Sequence, residues 1–150
     1  MLYLLLSIDN NFYAFDIANI IEIVPLVTIK PLPWAPDYIP GVFNYRGSIV
    51  PVIDLTWLIS GKPSSELLST RIVVVNFKSY DGSERKVGLI TEHATETESI
   101  DVDEFQEYGF NDKVPAYLGG IAIKENIMYQ RILISNLLTS DIQRNLFLKE

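Results

Sequence analysis

The sequence has no cysteine and one histidine, His93. Without thiols there is no disulfide framework, no thiolate nucleophile and no cysteine-based zinc site. A lone histidine leaves any metal centre dependent on carboxylates. A histidine-based triad would also need a poised nucleophile, and no Gly-x-Ser-x-Gly elbow is present. His93 therefore reads as a solvated or packing residue. There is no phosphate loop, dinucleotide fingerprint or calcium loop, so no cofactor and no catalytic residue is expected. Positive charge is scarce as well: 12 Lys and Arg against 19 Asp and Glu give a net charge of −7. That balance lacks the basic footprint of a nucleic-acid binder and disfavours an anionic membrane surface. No apolar run approaches the roughly 20 residues of a spanning helix. Met1 to Asp9 has no basic region of the kind that opens a secretory signal. A cytoplasmic protein with no membrane insertion is expected.

What is present favours β-structure. Hydrophobic residues make up 48% and charged residues 21%, a composition that fills a core and falls outside the disordered class. The length suits one ordinary domain or two small lobes. Residues 2–8 are apolar and stop at Asp9-Asn10-Asn11, a turn triplet, and 12–17 returns as the second arm of a hairpin. Residues 20–29 are rich in β-branched side chains, with Pro25 calling for an edge or a break. Pro31, Pro33, Pro36 and Pro40 mark an extended connector. Residues 41–45 and 48–54 flank Arg46-Gly47 as a second hairpin. A helical turn is expected at 55–59, closed by Gly61, and 61–70 is a polar, Ser-rich candidate linker. Residues 71–78 and 85–91 form a hairpin about Asp81-Gly82, and 117–124 and 128–134 another about Glu125-Asn126. The doublet Gly119-Gly120 in that region is read as permitting a bulge. The period then changes. Leu137, Leu138, Ile142, Leu146 and Phe147 follow helical spacing, and Ser140-Asp141-Ile142-Gln143 fits a capping box, so a helix is predicted over 140–148.

Two segments carry candidate chemistry. Glu92, Glu96, Glu98, Asp101, Asp103 and Glu104 form an acidic stretch that would supply paired carboxylates to a small β-barrel hydrolase. On a regular strand, however, 92, 96 and 98 share one face and repel, which favours a solvated face. The second segment runs from Gly41 to Leu55. Pro51 lacks a donor, so its strand is expected at an edge or beside a bulge. Arg46 at the turn presents a planar fork of donors suited to a carboxylate.

The run Pro36-Asp37-Tyr38-Ile39-Pro40-Gly41-Val42-Phe43-Asn44-Tyr45-Arg46-Gly47-Ser48-Ile49-Val50-Pro51-Val52-Ile53-Asp54-Leu55 resembles the hallmark of the CheW family of chemotaxis coupling proteins. The likeness extends to Ile20-Ile21-Glu22-Ile23 upstream and to Val87-Gly88-Leu89-Ile90, Tyr117-Leu118-Gly119-Gly120-Ile121-Ala122 and Ile132-Leu133-Ile134-Ser135-Asn136-Leu137-Leu138 downstream. It implies a mainly β fold of two five-stranded SH3-like β-barrel lobes packed together, with a short C-terminal α-helix. The division would fall near 61–70, with terminal strands free to cross. It also implies a non-catalytic adaptor in bacterial chemosensory signalling, at membrane receptor arrays, whose partners are the regulatory domain of the histidine kinase CheA and the cytoplasmic tip of chemoreceptors. A non-flagellar output, surface motility or a second messenger, would keep the same fold. By motif, Glu22, Gly41 and Arg46 fall at coupling positions. Ile20, expected on the same strand face as Glu22, would add an apolar contact, with Arg46 as charged anchor, Glu22 as its partner and Gly41 serving backbone geometry. The chain departs from the family pattern at Thr91-Glu92, where a Val-Asp pair is usual, and in the polar His93-Ala94-Thr95-Glu96-Thr97 that follows.

Overall fold

The computed structural model describes residues 1–65, 70–79, 81–108, 115–139 and 142. Among the described residues, eleven strands fall into two sheets. One holds β1 (Leu2–Ile8), β2 (Asn11–Asp16), β9 (His93–Ser99), β10 (Leu118–Lys124) and β11 (Ile127–Ile132), in the order β10-β11-β2-β1-β9. The other holds β3 (Ile20–Pro25), β4 (Lys30–Pro31), β5 (Gly41–Tyr45), β6 (Ser48–Asp54), β7 (Arg71–Lys78) and β8 (Glu84–Thr91), in the order β3-β7-β8-β6-β5-β4. The expected mainly β, two-lobed architecture is present, with two-residue β4 as an extra strand. The chain crosses between sheets through a 3-10 turn, Ile17–Asn19, and again at Glu92. Residues 61–70 lead from α1 (Leu55–Ser60) to β7, and the strands on either side of them, β6 and β7, share one sheet.

Local chemistry sets the turns. Asp9-Asn10, Arg46-Gly47 and Glu125-Asn126 all have positive φ at both positions, the backbone of a two-residue turn whose twist matches its strands. Asn, Asp and Gly tolerate that region best. At Gly119-Gly120 the β10–β11 register shifts between Leu118 and Ile121, as the doublet suggested. A Cβ on Gly120 would lie 2.8 Å from the Gln106 carbonyl oxygen, so this glycine admits neighbouring backbone.

Pro51 corrects one expectation. Its strand is interior, flanked by β5 and β8. Counting from the closing pair Tyr45↔Ser48, Val42↔Pro51 is a non-hydrogen-bonded pair of the β5–β6 ladder. Pairing to β8 begins only at Val52. The donor that Pro51 lacks therefore falls where neither neighbour needs it.

Three apolar clusters explain the hydrophobic runs. Leu4, Leu6 and Ile8 of β1 pack between the sheets with Val73, Val75 and Phe77 of β7. The alternate residues turn the other way. Tyr3 and Leu5 join Ala14, Ile100, Ala122 and Tyr129 inside the five-stranded lobe, while Ile72 and Val74 join Phe43, Tyr45, Val50, Val52 and Ile90 inside the six-stranded lobe. β1 and β7 are thus buried on both faces, and their sequences lose the polar alternation of a one-sided strand.

α1 is closed at both ends. The Asp54 carboxylate accepts from the Trp57 N–H at 3.2 Å, and the Gly61 N–H donates to the Trp57 carbonyl. Asp54 is buried, and it also accepts from the Ser64 N–H and hydroxyl at 2.8 and 2.6 Å, so its burial is compensated. The residues after β11 begin with α2 (Ile134–Leu137), a helical turn where strand and turn were expected. The helix predicted over 140–148 lies outside the described residues apart from Ile142, which packs on the shared core.

Candidate functional site

The Arg46-Gly47 turn places a guanidinium at the tip of the β5–β6 hairpin. The turn is held by the Gly47 N–H donating to Asn44 Oδ1 at 2.8 Å. Arg46 Nη2 donates to Glu22 Oε1 at 2.7 Å, and the Tyr45 hydroxyl donates to the same oxygen at 2.7 Å. The guanidinium carbon sits 5.5 Å from the centre of the Tyr45 ring, within cation–π range. Glu22 belongs to β3, and three strands separate β3 from β5 in the sheet order. The sheet curves far enough to bring these two strands into side-chain contact.

The Tyr45 hydroxyl first, and the Arg46 guanidinium second, hold the Glu22 carboxyl below its ordinary pKa. Donating to that carboxylate, the Arg46 guanidinium has its pKa raised, and the Tyr45 pKa is raised chiefly because its proton is engaged by Glu22. The site is a fixed ion pair with an aromatic backing. Arg46 keeps 73% of its side-chain surface exposed, so most of its fork still faces outward. Exposed aliphatics lie beside it in sequence: Ile21 and Ile23 flank Glu22, and Ile49 leaves the Arg46 turn.

Of the four residues singled out by sequence, the structure brings Glu22 and Arg46 together. Gly41 sits at the opposite end of β5, opposite Pro31 of β4. A Cβ there would lie 1.9 Å from the Lys30 carbonyl oxygen, so β4 approaches as it does only because position 41 is glycine. Ile20 does not share a face with Glu22. The β3–β7 register shifts between them: Ile20 opposes Val75 and Glu22 opposes Val74. Val75 and Val74 point to different clusters, and Ile20 packs on the shared core. A bulge at this edge cancels the period-2 expectation. Tyr45, third member of the contact, was missed. It stood beside Arg46 in the motif, but its pairing across the lobe has no local signature.

The acidic stretch does not form one site. Glu92 lies in the crossing before β9 and accepts from the Ser65 N–H at 3.2 Å. A register shift in β9 pairs Ala94 with Leu6 and Glu96 with Leu5. Glu96 and Glu98 thus line one concavity and Glu92 another. Glu104 caps the 3-10 turn Val102–Glu104 by accepting from the Asp101 N–H, and pairs with Lys124 at 2.7 Å. His93 is exposed. No three acidic or imidazole side chains among the described residues converge to hold a metal ion.

Comparison with known proteins supplies the context for this geometry. A family described as the CheW-like domain matches residues 2–141. Chemotaxis protein CheW of Klebsiella aerogenes is 28% identical over 142 residues, covering 93% of this chain and 82% of that protein. Protein FrzA of Myxococcus xanthus is 28% identical over 129 residues, covering 80% and 72%. Among solved structures, the scaffolding protein TtCheW from Thermoanaerobacter tengcongensis superposes with a TM-score of 0.80 at 27% identity, covering 94% of this chain and 89% of that one.

Proposed function

This chain belongs to the CheW-like domain family, and on that footing we propose that it is a non-catalytic adaptor joining methyl-accepting chemoreceptors to the histidine kinase CheA. The observation that carries the reading is the Arg46–Glu22–Tyr45 contact. It presents a pre-ordered guanidinium at a hairpin tip, and the strands that meet there, β3 and β6, also carry the exposed aliphatics Ile21, Ile23 and Ile49. Arginine and apolar anchors at a polar rim are the composition of a protein-binding surface. Arg46 and Glu22 serve as the charged element of docking. Gly41 acts through the path of β4, and Ile20 acts through the packing behind β3. The adaptor works in the cytoplasm at receptor arrays. Among the described residues no helix is long and apolar enough to cross a membrane.

The test is reconstitution. The chain is mixed with the regulatory domain of its cognate CheA and with a receptor cytoplasmic fragment, and binding to each and kinase output are measured. Binding to both, with kinase output responding to receptor only when the chain is present, supports the proposal. Failure to bind either partner overturns it.

A second reading keeps the same adaptor fold and gives it a non-flagellar output. The response regulator phosphorylated by the kinase it binds separates the two outputs.

A further inference from the structure

Of the three side chains that meet at the Arg46 turn, one is fixed by the core and two are not. Arg46 keeps 73% and Glu22 37% of its side-chain surface exposed. Both are long and freely jointed, and Glu22 stands on β3 at the edge of its sheet. An ion pair between such groups is worth little and does not by itself hold either side chain in one rotamer. Tyr45 differs. It is 8% exposed, its ring centre lies 6.1 Å from that of Phe43, and it packs in one cluster with Val52, Ile72 and Val74. A tyrosine has only two side-chain torsions, so a packed ring also fixes its hydroxyl.

That hydroxyl is aimed at the ion pair. Along β5, Phe43 and Tyr45 are buried and Asn44 between them is exposed, so Tyr45 belongs to the inward face. Its hydroxyl nevertheless reaches from β5 to β3 and donates to Glu22 Oε1 at 2.7 Å. Arg46 Nη2 donates to the same oxygen at 2.7 Å, and the guanidinium carbon lies 5.5 Å from the centre of the Tyr45 ring, within cation–π range. One core-anchored side chain thus touches both halves of the pair, with its hydroxyl on the anion and its ring against the cation. The same hydroxyl is the foremost cause of the lowered Glu22 pKa, ahead of Arg46.

We propose that Tyr45 is the positioning residue of the docking contact: its hydroxyl sets the Glu22 carboxylate, and that carboxylate together with the Tyr45 ring sets the direction in which Arg46 presents its remaining donors. The role at docking rests on the reading of Arg46 and Glu22 as the charged element of the adaptor surface. Tyr45 acts through these two residues and not by touching the partner.

The test uses the full chain as wild type, Tyr45→Phe, Arg46→Ala and the double variant. Tyr45→Phe removes the hydroxyl and keeps the ring. Carbon-13 NMR of the Glu22 carboxyl follows its titration, and nitrogen-15 relaxation of the Arg46 Nε–H follows its mobility. Calorimetry measures binding to the regulatory domain of the cognate CheA and to a receptor cytoplasmic fragment. In Tyr45→Phe the Glu22 pKa should rise toward the ordinary carboxylate value and the Arg46 Nε–H should become more mobile, with melting close to wild type. Affinity should fall by a few-fold, and adding Tyr45→Phe to Arg46→Ala should cause no further fall. A tyrosine that serves packing alone would leave the Glu22 titration where it is and weaken binding equally in both backgrounds. An unchanged Glu22 titration, unchanged Arg46 mobility, unchanged affinity or a loss that adds to that of Arg46→Ala would each overturn the proposal. A wild-type chain that binds neither partner overturns the adaptor reading instead, and the two NMR measurements still decide whether Tyr45 positions the pair.

Discussion

Arg46 and Glu22 are 24 residues apart, one at the tip of the β5–β6 hairpin and the other on β3 at the far edge of the sheet, yet they meet at 2.7 Å through a single carboxylate oxygen. The same oxygen takes the Tyr45 hydroxyl. The contact therefore fixes where the hairpin tip sits relative to the sheet edge, and it leaves most of the guanidinium outward. A pair this exposed contributes little to stability and much to presentation.

Arg46→Ala and Glu22→Ala should accordingly melt close to wild type while each weakens binding to CheA or receptor fragments by on the order of tenfold. The double variant should lose less than the sum, because each single change already frees the other partner. Surface plasmon resonance on all four proteins checks this. Additive losses would mean that the two residues act separately.

Gly41→Ala is expected to act through packing. The added methyl would sit 1.9 Å from the Lys30 carbonyl oxygen, and a backbone atom cannot swing aside as a side chain can. A loss of about 1–3 kcal/mol in urea unfolding is expected, the range for overpacked sites. An unchanged midpoint would show that β4 moves away freely.

Glu22 and Glu104 both have pKa values held below the ordinary carboxylate value, Glu22 by Tyr45 and then Arg46, Glu104 by Lys124 and then the Asp101 N–H. A carboxylate with a depressed folded pKa adds stability above its unfolded pKa and loses it as pH falls through the folded one. Wild type should therefore weaken progressively from the ordinary carboxylate range into more acidic solution. Glu22→Gln and Glu104→Gln should each show a shallower slope. Denaturant midpoints across that acid range measure it, and identical slopes would refute the assignment.

Leu5 and Leu6 are neighbours that serve different cores. Each change to alanine should cost about 2–5 kcal/mol, as for other buried leucines. The distribution should differ. Leu6→Ala should speed amide exchange in both sheets, and Leu5→Ala mainly in the five-stranded one. Exchange read by mass spectrometry decides between this and a single undivided core.

What could be read from sequence follows the range of the interaction. Turns at Asp9-Asn10, Arg46-Gly47 and Glu125-Asn126 depend on two residues each, and all were legible. The doubly buried β1 and β7 announced themselves as unbroken apolar runs. The pairing of Arg46 with Glu22 was legible only through the family likeness, because no local pattern links positions so far apart. The register shifts in β3 and β9 were not legible. A bulge adds one residue without a compositional mark, and it moved Ile20 and Glu96 to faces that simple alternation does not give. Interior placement of Pro51 escaped for a related reason, since it depends on where a parallel neighbour begins.

The parallel pairing of β2 with β11 and the antiparallel pairing of β1 with β9 have a consequence for synthesis on the ribosome. Every strand of the six-stranded lobe has been translated by Thr91, whereas the β1–β2 hairpin emerges first and must wait for strands made last. Nascent chains whose residue 91 has just cleared the ribosome should thus carry every strand of one lobe and one hairpin with an unclaimed edge, a natural point for a chaperone to engage.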